Sequence, residues 1–544
     1  MIRKSMRVLV VVAMFCGSFA SASADDTFNP LALTESGLVV GSSTTDGINQ
    51  FLGIPYAAPP VGSLRWTPPQ PYGLFHDLVF HAIQFGGVCP QLGTFGEVFG
   101  SEDCLVLNVY VPTNAVVGDL PENHDHGLPV IVWIHGGSLI SGAGQFYDPT
   151  PLVKKGVIVV TINYRIGYLG FFAQSALDAE PHPAGNYGLM DQQSALKWVQ
   201  RNIMGFGGDP NRVTMFGESA GGQSVYANLA SPTAAHLFQG AISDSGSYAE
   251  FQNYFNFIVS LPIGETNGTA LVPPGDSVAG SVGCSSQSSQ CLRDVSASAF
   301  VLAAPGVIYP FVDGTLLTQT PTQAFVNGQF NRVPVISGTN HDEYRYFVAL
   351  AELESGNPLT AVGYSHAVYS LFGQPGPPPD NSFDDLVISF YPLDMDPTSP
   401  SIELGALGTD RDFACPARNA DLALSRKVPT YAYEFHDETA PSIFPPLSFP
   451  LGDSRFIELE YLLNLAGFGI TPTFTPDQQQ LSDTMIGYWT QFAKTGNPNS
   501  EGAPKWPPYR AGGSFQSLIA PRPVAEVDAS FDNDHKCSSF WDTF

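Results

Sequence analysis

Charge is scarce in this sequence, and positive charge is scarcer still. Only 13% of the 544 residues are Asp, Glu, Lys or Arg, and 23 Lys+Arg face 50 Asp+Glu, a formal net charge of −27. The acids are spread along the chain rather than gathered in a tail, and such a field repels phosphate backbones and anionic lipid, so a nucleic-acid partner is excluded. Long apolar runs are missing beyond the N-terminus, which leaves the mature chain without a segment fit to span a bilayer. Cysteine is rare, with seven in all, and no C-x-x-C or clustered Cys/His spacing appears. That argues against a metal site, and no metal or organic cofactor is implied. Internal repeats and long low-complexity tracts are also absent, which argues against a solenoid or a disordered chain.

What the sequence does contain is 44% apolar residues, 54 Gly and 46 Pro: enough to bury a large core and to make many ordered turns. At the N-terminus Arg3, Lys4 and Arg7 precede the apolar run Val8 to Cys16, and Ala22-Ser23-Ala24 offers a small-residue cleavage site. Residues 1–24 therefore read as a signal peptide, and the protein as secreted or periplasmic. Removing Cys16 with that segment leaves an even six cysteines, as an oxidising compartment favours. Sequence separation favours Cys89 with Cys104 and Cys284 with Cys291, each closing a short loop, and leaves Cys415 for Cys537. Other pairings remain open on spacing alone.

Apolar runs that read as buried strands recur at Leu107–Val111, Pro129–Ile134, Val157–Ile162, Val213–Phe216, Val333–Ser337 and Thr430–Phe435. The clearest helical pattern between them is Met190–Ile203, ending at the Gly207-Gly208-Asp209-Pro210 break. Strands alternating with helices imply an α/β class with a mostly parallel central sheet flanked by helices.

Directly after the strand Val213–Phe216 stands Gly217-Glu218-Ser219-Ala220-Gly221, a G-x-S-x-G between a predicted strand and a predicted helix. A serine nucleophile must stand on a strained turn, and small neighbours two residues to either side let the backbone make it. Acyl transfer also needs donors for the tetrahedral oxyanion. The strand Pro129–Ile134 ends in His135-Gly136-Gly137-Ser138, so the backbone N–H groups of Gly137, Ser138 and Ala220 are the expected oxyanion hole. His135, just before that turn, is read as a brace for the loop rather than as a base.

These motifs resemble the type-B carboxylesterase/lipase family, the α/β-hydrolase group that includes cholinesterases and the non-catalytic neuroligins. The resemblance runs nearly end to end. It includes Phe51 to Ala57 (FLGIPYA), Ser101 to Val109 (SEDCLVLNV), Asn186 to Gln192 (NYGLMDQ), Phe206 to Pro210 running into the Gly217 to Gly222 turn, and Tyr488-Trp489 to Gly496-Asn497-Pro498. It implies an α/β-hydrolase fold, a single catalytic domain over residues 25–544, the three disulfides above, and a small-molecule ester as substrate. It says nothing of oligomeric state. The family's acid falls on Glu343 in Gly338-Thr339-Asn340-His341-Asp342-Glu343, with Tyr344 where glycine is usual.

The base departs from the family pattern. Family members carry a histidine in a segment like F-P-x-G-x-x-H-x-x-E-L-x-Y; here Phe449, Pro450, Gly452, Glu458, Leu459 and Tyr461 fix the register, and Arg455 stands at the histidine position. A guanidinium has no lone pair with which to accept a proton. Beside Glu343 it is expected to form an ion pair. His436, which follows the strand Thr430–Phe435 and opens the loop in which the family's histidine lies, is the alternative base; Glu218 and His341 are weaker ones. Two functions follow: a serine hydrolase cleaving carboxylic esters through an acyl-serine, or an impaired family member that binds esters or acts as an interaction protein. The loop between Cys89 and Cys104 holds Phe95 and Phe99 but no Trp, which disfavours a choline ester.

Overall fold

The structure is a computed structural model and describes residues 29–93, 96–115, 127–183, 185–246, 275–304, 308–371 and 382–543. The signal peptide expected over residues 1–24 and Phe95 lie outside the described residues.

The centre is an 11-stranded sheet. In chain order its strands are β1 (Ser42–Ser43), β2 (Ile48–Pro55), β3 (Val106–Pro112), β4 (Leu128–Ile134), β5 (Ile158–Ile162), β6 (Gly208–Glu218), β7 (Gly240–Asp244), β8 (Val335–Asn340), β9 (Thr430–Phe435), β10 (Ser514–Leu518) and β11 (Val524–Val527). Across the sheet they lie in the order β11-β10-β9-β8-β7-β6-β4-β5-β3-β2-β1. Every pairing from β5 to β10 is parallel, and the antiparallel strands β1, β2, β3 and β11 sit at the two sides. The mostly parallel central sheet is therefore as the sequence pattern implies. The predicted strand Thr430–Phe435 matches residue for residue, whereas β6 runs past its apolar run at both ends and β8 starts two residues late.

Alternate residues of β4 show why the strand reads as a continuous apolar run. Val130, Val132 and Ile134 pack into one core cluster while Ile131 and Trp133 pack into the other, so both faces of the sheet are covered. On the first face lie α1 (Tyr187–Asn202), with Leu189, Leu196, Trp198 and Val199, and α2 (Ala220–Ala230), with Val225 and Leu229. On the second lies α3 (Pro476–Thr495), with Leu481, Met485, Tyr488, Trp489 and Phe492. A capping box at Thr475 and Gln478 starts α3, and Gly496 in the left-handed region ends it. The three cysteine pairs expected from spacing are each joined as disulfides, with Cα separations of 5.0, 5.8 and 5.2 Å. Among the described residues no helix is long and apolar enough to cross a membrane.

A buried ion pair locks the loop after β5 onto α1. Arg165 Nε and Nη2 donate to the two carboxylate oxygens of Asp191 at 2.7 and 2.8 Å, and the Arg165 backbone N–H adds a third bond at 3.0 Å. Deleting one partner leaves a buried charge uncompensated. Arg165→Ala should cost roughly 3–5 kcal/mol of unfolding free energy in a denaturant titration. Arg201→Ala, which removes an exposed pair with Glu35, should cost less than about 1 kcal/mol.

Candidate active site

Ser219 joins the end of β6 to the start of α2 with φ 62° and ψ −129°, a conformation that residues with a side chain rarely adopt. The flanking glycines make the turn sterically allowed. A Cβ on Gly217 would strike the backbone of Gly221, and one on Gly221 would strike the carbonyl of Ile134. The turn is held from below, where the Ser219 N–H donates to the Asp244 carbonyl at the end of β7 (2.9 Å), and the Gln223 N–H donates back to the Ser219 carbonyl (2.8 Å).

The strand next to β6 delivers the loop opposite. β4 ends at Ile134, and the backbone then turns through positive φ at Gly137 (92°), Ser138 (54°) and Leu139 (57°). Gly136, Gly137, Ser138 and Ser219 line one cavity of about 610 Å³, and Ala220 follows as the first residue of α2. His135 is buried behind this loop. Its Nδ1 lies 2.9 Å from the Gly136 carbonyl, its ring stacks on Tyr164 at 4.4 Å, and the Tyr164 hydroxyl donates to the His135 carbonyl at 2.6 Å. Burial pushes the imidazole down to about 4, so it is neutral and braces the loop.

Glu343 lies just beyond β8 and is fully buried. Its Oε1 accepts from the Thr339 hydroxyl and the Asn340 N–H, both at 2.9 Å, and its Oε2 faces Arg455 Nη1 at 2.9 Å. Arg455 is itself buried. Its Nη2 lies 3.2 Å from Glu218 Oε1, its guanidinium carbon lies 4.8 Å from the Phe413 ring centroid, and Nη1 and Nη2 both reach the Ser245 carbonyl at 3.5 Å. The ion pair expected with Glu343 is present, and it extends to a second carboxylate that sequence reasoning did not connect to Arg455.

Glu218 has an unusual environment. Burial, with a further push from Glu343, raises its carboxyl to about 7 against the opposing pull of Arg455. Buried Asp244 and Glu458 are also held well above the usual carboxylate range, chiefly by burial and then by their acidic neighbours, Glu218 and Glu343. The glycine at 136 permits close approach here: the point where its Cβ would stand is 2.8 Å from Ser219 Cβ and 3.2 Å from Glu218 Oε2. The carboxylate and the serine methylene are thus no more than about 6 Å apart, a separation that one water can bridge.

His436 is placed elsewhere. Its ring lies tilted against that of His341 with centroids 4.4 Å apart, its nitrogens lie 3.9 Å from carboxylates of Glu434 and Glu438, and neither His436 nor His341 is among the residues lining the Ser219 cavity. The expectation that His436 could serve as base is corrected: leaving β9 at the right edge of the sheet does not carry the ring to the serine, because parallel pairing with β8 sets it beside His341. The cavity walls also hold Phe99, Phe146, Tyr346, Phe347, Phe456 and Phe468; aromatic abundance gave no signal for which residues these would be.

A model described as the carboxylesterase family matches residues 29–530. The chain is 35% identical to the mouse protein named acylcarnitine hydrolase, over 88% of this chain and 85% of that one. It is 34% identical to the para-nitrobenzyl esterase of Bacillus subtilis (strain 168), over 88% and 92% of the two chains. A solved structure titled PNB esterase superposes with a TM-score of 0.72 at 29% identity, covering 93% of this chain and 100% of that one.

The elbow's steric demand is directly testable. Gly221→Ala, which drives a methyl into the Ile134 carbonyl, should lower Tm by about 5 °C or more. Gly280→Ala, in the short helix Gly275–Ser281 with open space around the new Cβ, should leave Tm unchanged or slightly raised.

Proposed function

The chain belongs to the carboxylesterase family, and on that premise we propose that it hydrolyses carboxylic esters through an acyl-Ser219 intermediate, with Glu218 as the proton acceptor. The observation that carries this reading is the pairing of Ser219 with a cavity-lining carboxyl poised at about 7, the range in which a general base works at neutral pH. Ser219 Oγ attacks the ester carbonyl as its proton passes through one water to Glu218. The oxyanion is received by the N–H groups of Gly137, Ser138 and Ala220. Glu218 returns the proton to the departing alkoxide and the alcohol leaves; a water then attacks the acyl carbonyl as the same carboxylate takes its proton, and Glu218 hands that proton to Ser219 Oγ as the serine–acyl bond breaks and the acid departs.

Arg455 has no proton-accepting role in this scheme. It fixes Glu218 through Oε1 and neutralises Glu343, which otherwise has no imidazole to orient. The aromatic walls favour a neutral ester with an apolar acyl or alcohol group. Three disulfides support an exported protein, with residues 25–544 acting as one catalytic unit. The Glu343–Arg455 pair favours a second reading, an impaired member that binds esters without turning them over.

Hydrolysis of short and medium nitrophenyl esters separates the two. Wild type should exceed Ser219→Ala, and its kcat/KM should rise as pH passes through about 7, because Glu218 accepts a proton only as the carboxylate. Glu218→Gln should lose that rise and about 100-fold in rate, and Arg455→His should gain about 100-fold or more by restoring an imidazole beside Glu343. Wild type equal to Ser219→Ala, with Arg455→His active, would establish the impaired reading. A Glu218→Gln profile identical to wild type would remove Glu218 as the base.

A further inference from the structure

A cluster of imidazoles and carboxylates lies at the strand ends outside the Ser219 cavity. β8 and β9 pair in parallel with Asn340 opposite Phe435, so the next residue of each strand, His341 and His436, comes side by side. Their rings are 4.4 Å apart, and His535 stands 5.4 Å from His341. Asp453, from the loop that also carries Arg455, closes the third side with Oδ1 3.9 Å from His341 Nδ1.

Asp453 is the observation that asks for a ligand. Its side chain is fully buried, and its carboxyl faces that of Asp342, with which it shares a hydrogen bond, so that two acids sit together away from water, a costly arrangement that a cation would relieve. Its neighbour Asp342 already pairs with Arg345 at 2.7 Å. His535 is committed as well, with Nδ1 2.6 Å from Asp410 and Nε2 2.6 Å from Glu434. What remains is a set of three: one ligand atom each from His341, His436 and Asp453, all within 4.8 Å of one another. His341 and His436 are about 30% exposed, which leaves an entry path from solvent.

We propose that His341, His436 and Asp453 form a binding site for a divalent transition-metal ion of the zinc class. Two imidazoles and one carboxylate are a nitrogen–oxygen donor set that zinc takes at about 2.0–2.2 Å per bond, and that set does not suit calcium or magnesium, which prefer all-oxygen shells. Drawing the three atoms onto one ion requires only side-chain adjustments of about 1 Å. Glu434 and Asp342, beside His436 and His341, are placed to orient the imidazoles as outer carboxylates do. A bound ion would tie β8, β9 and the Asp453–Arg455 loop together, the segments that also deliver Glu343 and Arg455. Cysteine and histidine spacing in the sequence does not reveal this site, because its ligands come from three distant segments.

The test is zinc binding by the purified, chelator-stripped full chain, read by equilibrium dialysis with elemental analysis and by Tm with and without zinc chloride. Wild type should take up about one equivalent, and zinc in excess should raise its Tm. His436→Gln and Asp453→Asn should each lose both the bound zinc and the Tm increase. A far-UV spectrum and metal-free Tm like wild type's identify the variants that are folded. Failure of wild type to bind zinc, or equal binding by folded His436→Gln, would overturn the proposal.

Discussion

The guanidinium of Arg455 lies between two buried carboxylates, 2.9 Å from Glu343 and 3.2 Å from Glu218, over the ring of Phe413. Placing three ionisable groups in such a setting is expensive in desolvation, and Arg455 supplies the positive charge that offsets part of that cost. Asp244 and Glu458 add further buried acid at the same place. Arg455 is the counter-charge around which these acids are arranged. A histidine there could gain and lose a proton during a reaction, whereas an arginine stays charged throughout. In the proposed scheme the proton-accepting task falls instead on Glu218, whose carboxyl burial lifts to about 7.

The sheet explains why these groups meet at all. Gly136 to Ser138 follow β4, Ser219 follows β6, and Glu343 follows β8, all strands of the parallel run. Parallel strands end on the same side, so loops far apart in sequence share the crevice beyond their carboxyl ends. Glycines at 136, 217 and 221 remove the side chains that would keep those loops apart. The site is thus a consequence of strand polarity first and of side-chain chemistry second, in keeping with the α/β-hydrolase fold of the PNB esterase structures.

Much of this was legible in the sequence because the signals were local. The run Thr430–Phe435, rich in aromatic residues and preceded by Pro429, is β9 without adjustment. Ser219 was marked by its glycines, and Arg455 by six flanking residues that fixed its register. Glu218 was harder to read, since its raised pKa comes from burial and from Glu343 across the fold. The choice left open for His436, a recruited base or a bland role at the strand end, could not be made from sequence for the same reason: its position after β9 was clear, but its neighbour is set by the pairing of β9 with β8. Asp453 gave no signal, because its burial beside His341 depends on the course of a loop rather than on any periodic pattern.

If Glu218 is the base of acylation, Ser219 should be acylated faster where Glu218 is ionised, and a quench before the first turnover completes should catch the acyl-enzyme. Peptide mass spectrometry after brief exposure to nitrophenyl acetate tests this most directly. The account predicts an acetyl group on the peptide that contains Ser219, with more of it trapped at pH 8 than at pH 6 as Glu218 ionises through about 7. Absence of any Ser219 adduct at either pH, or labelling that ignores pH, would contradict it.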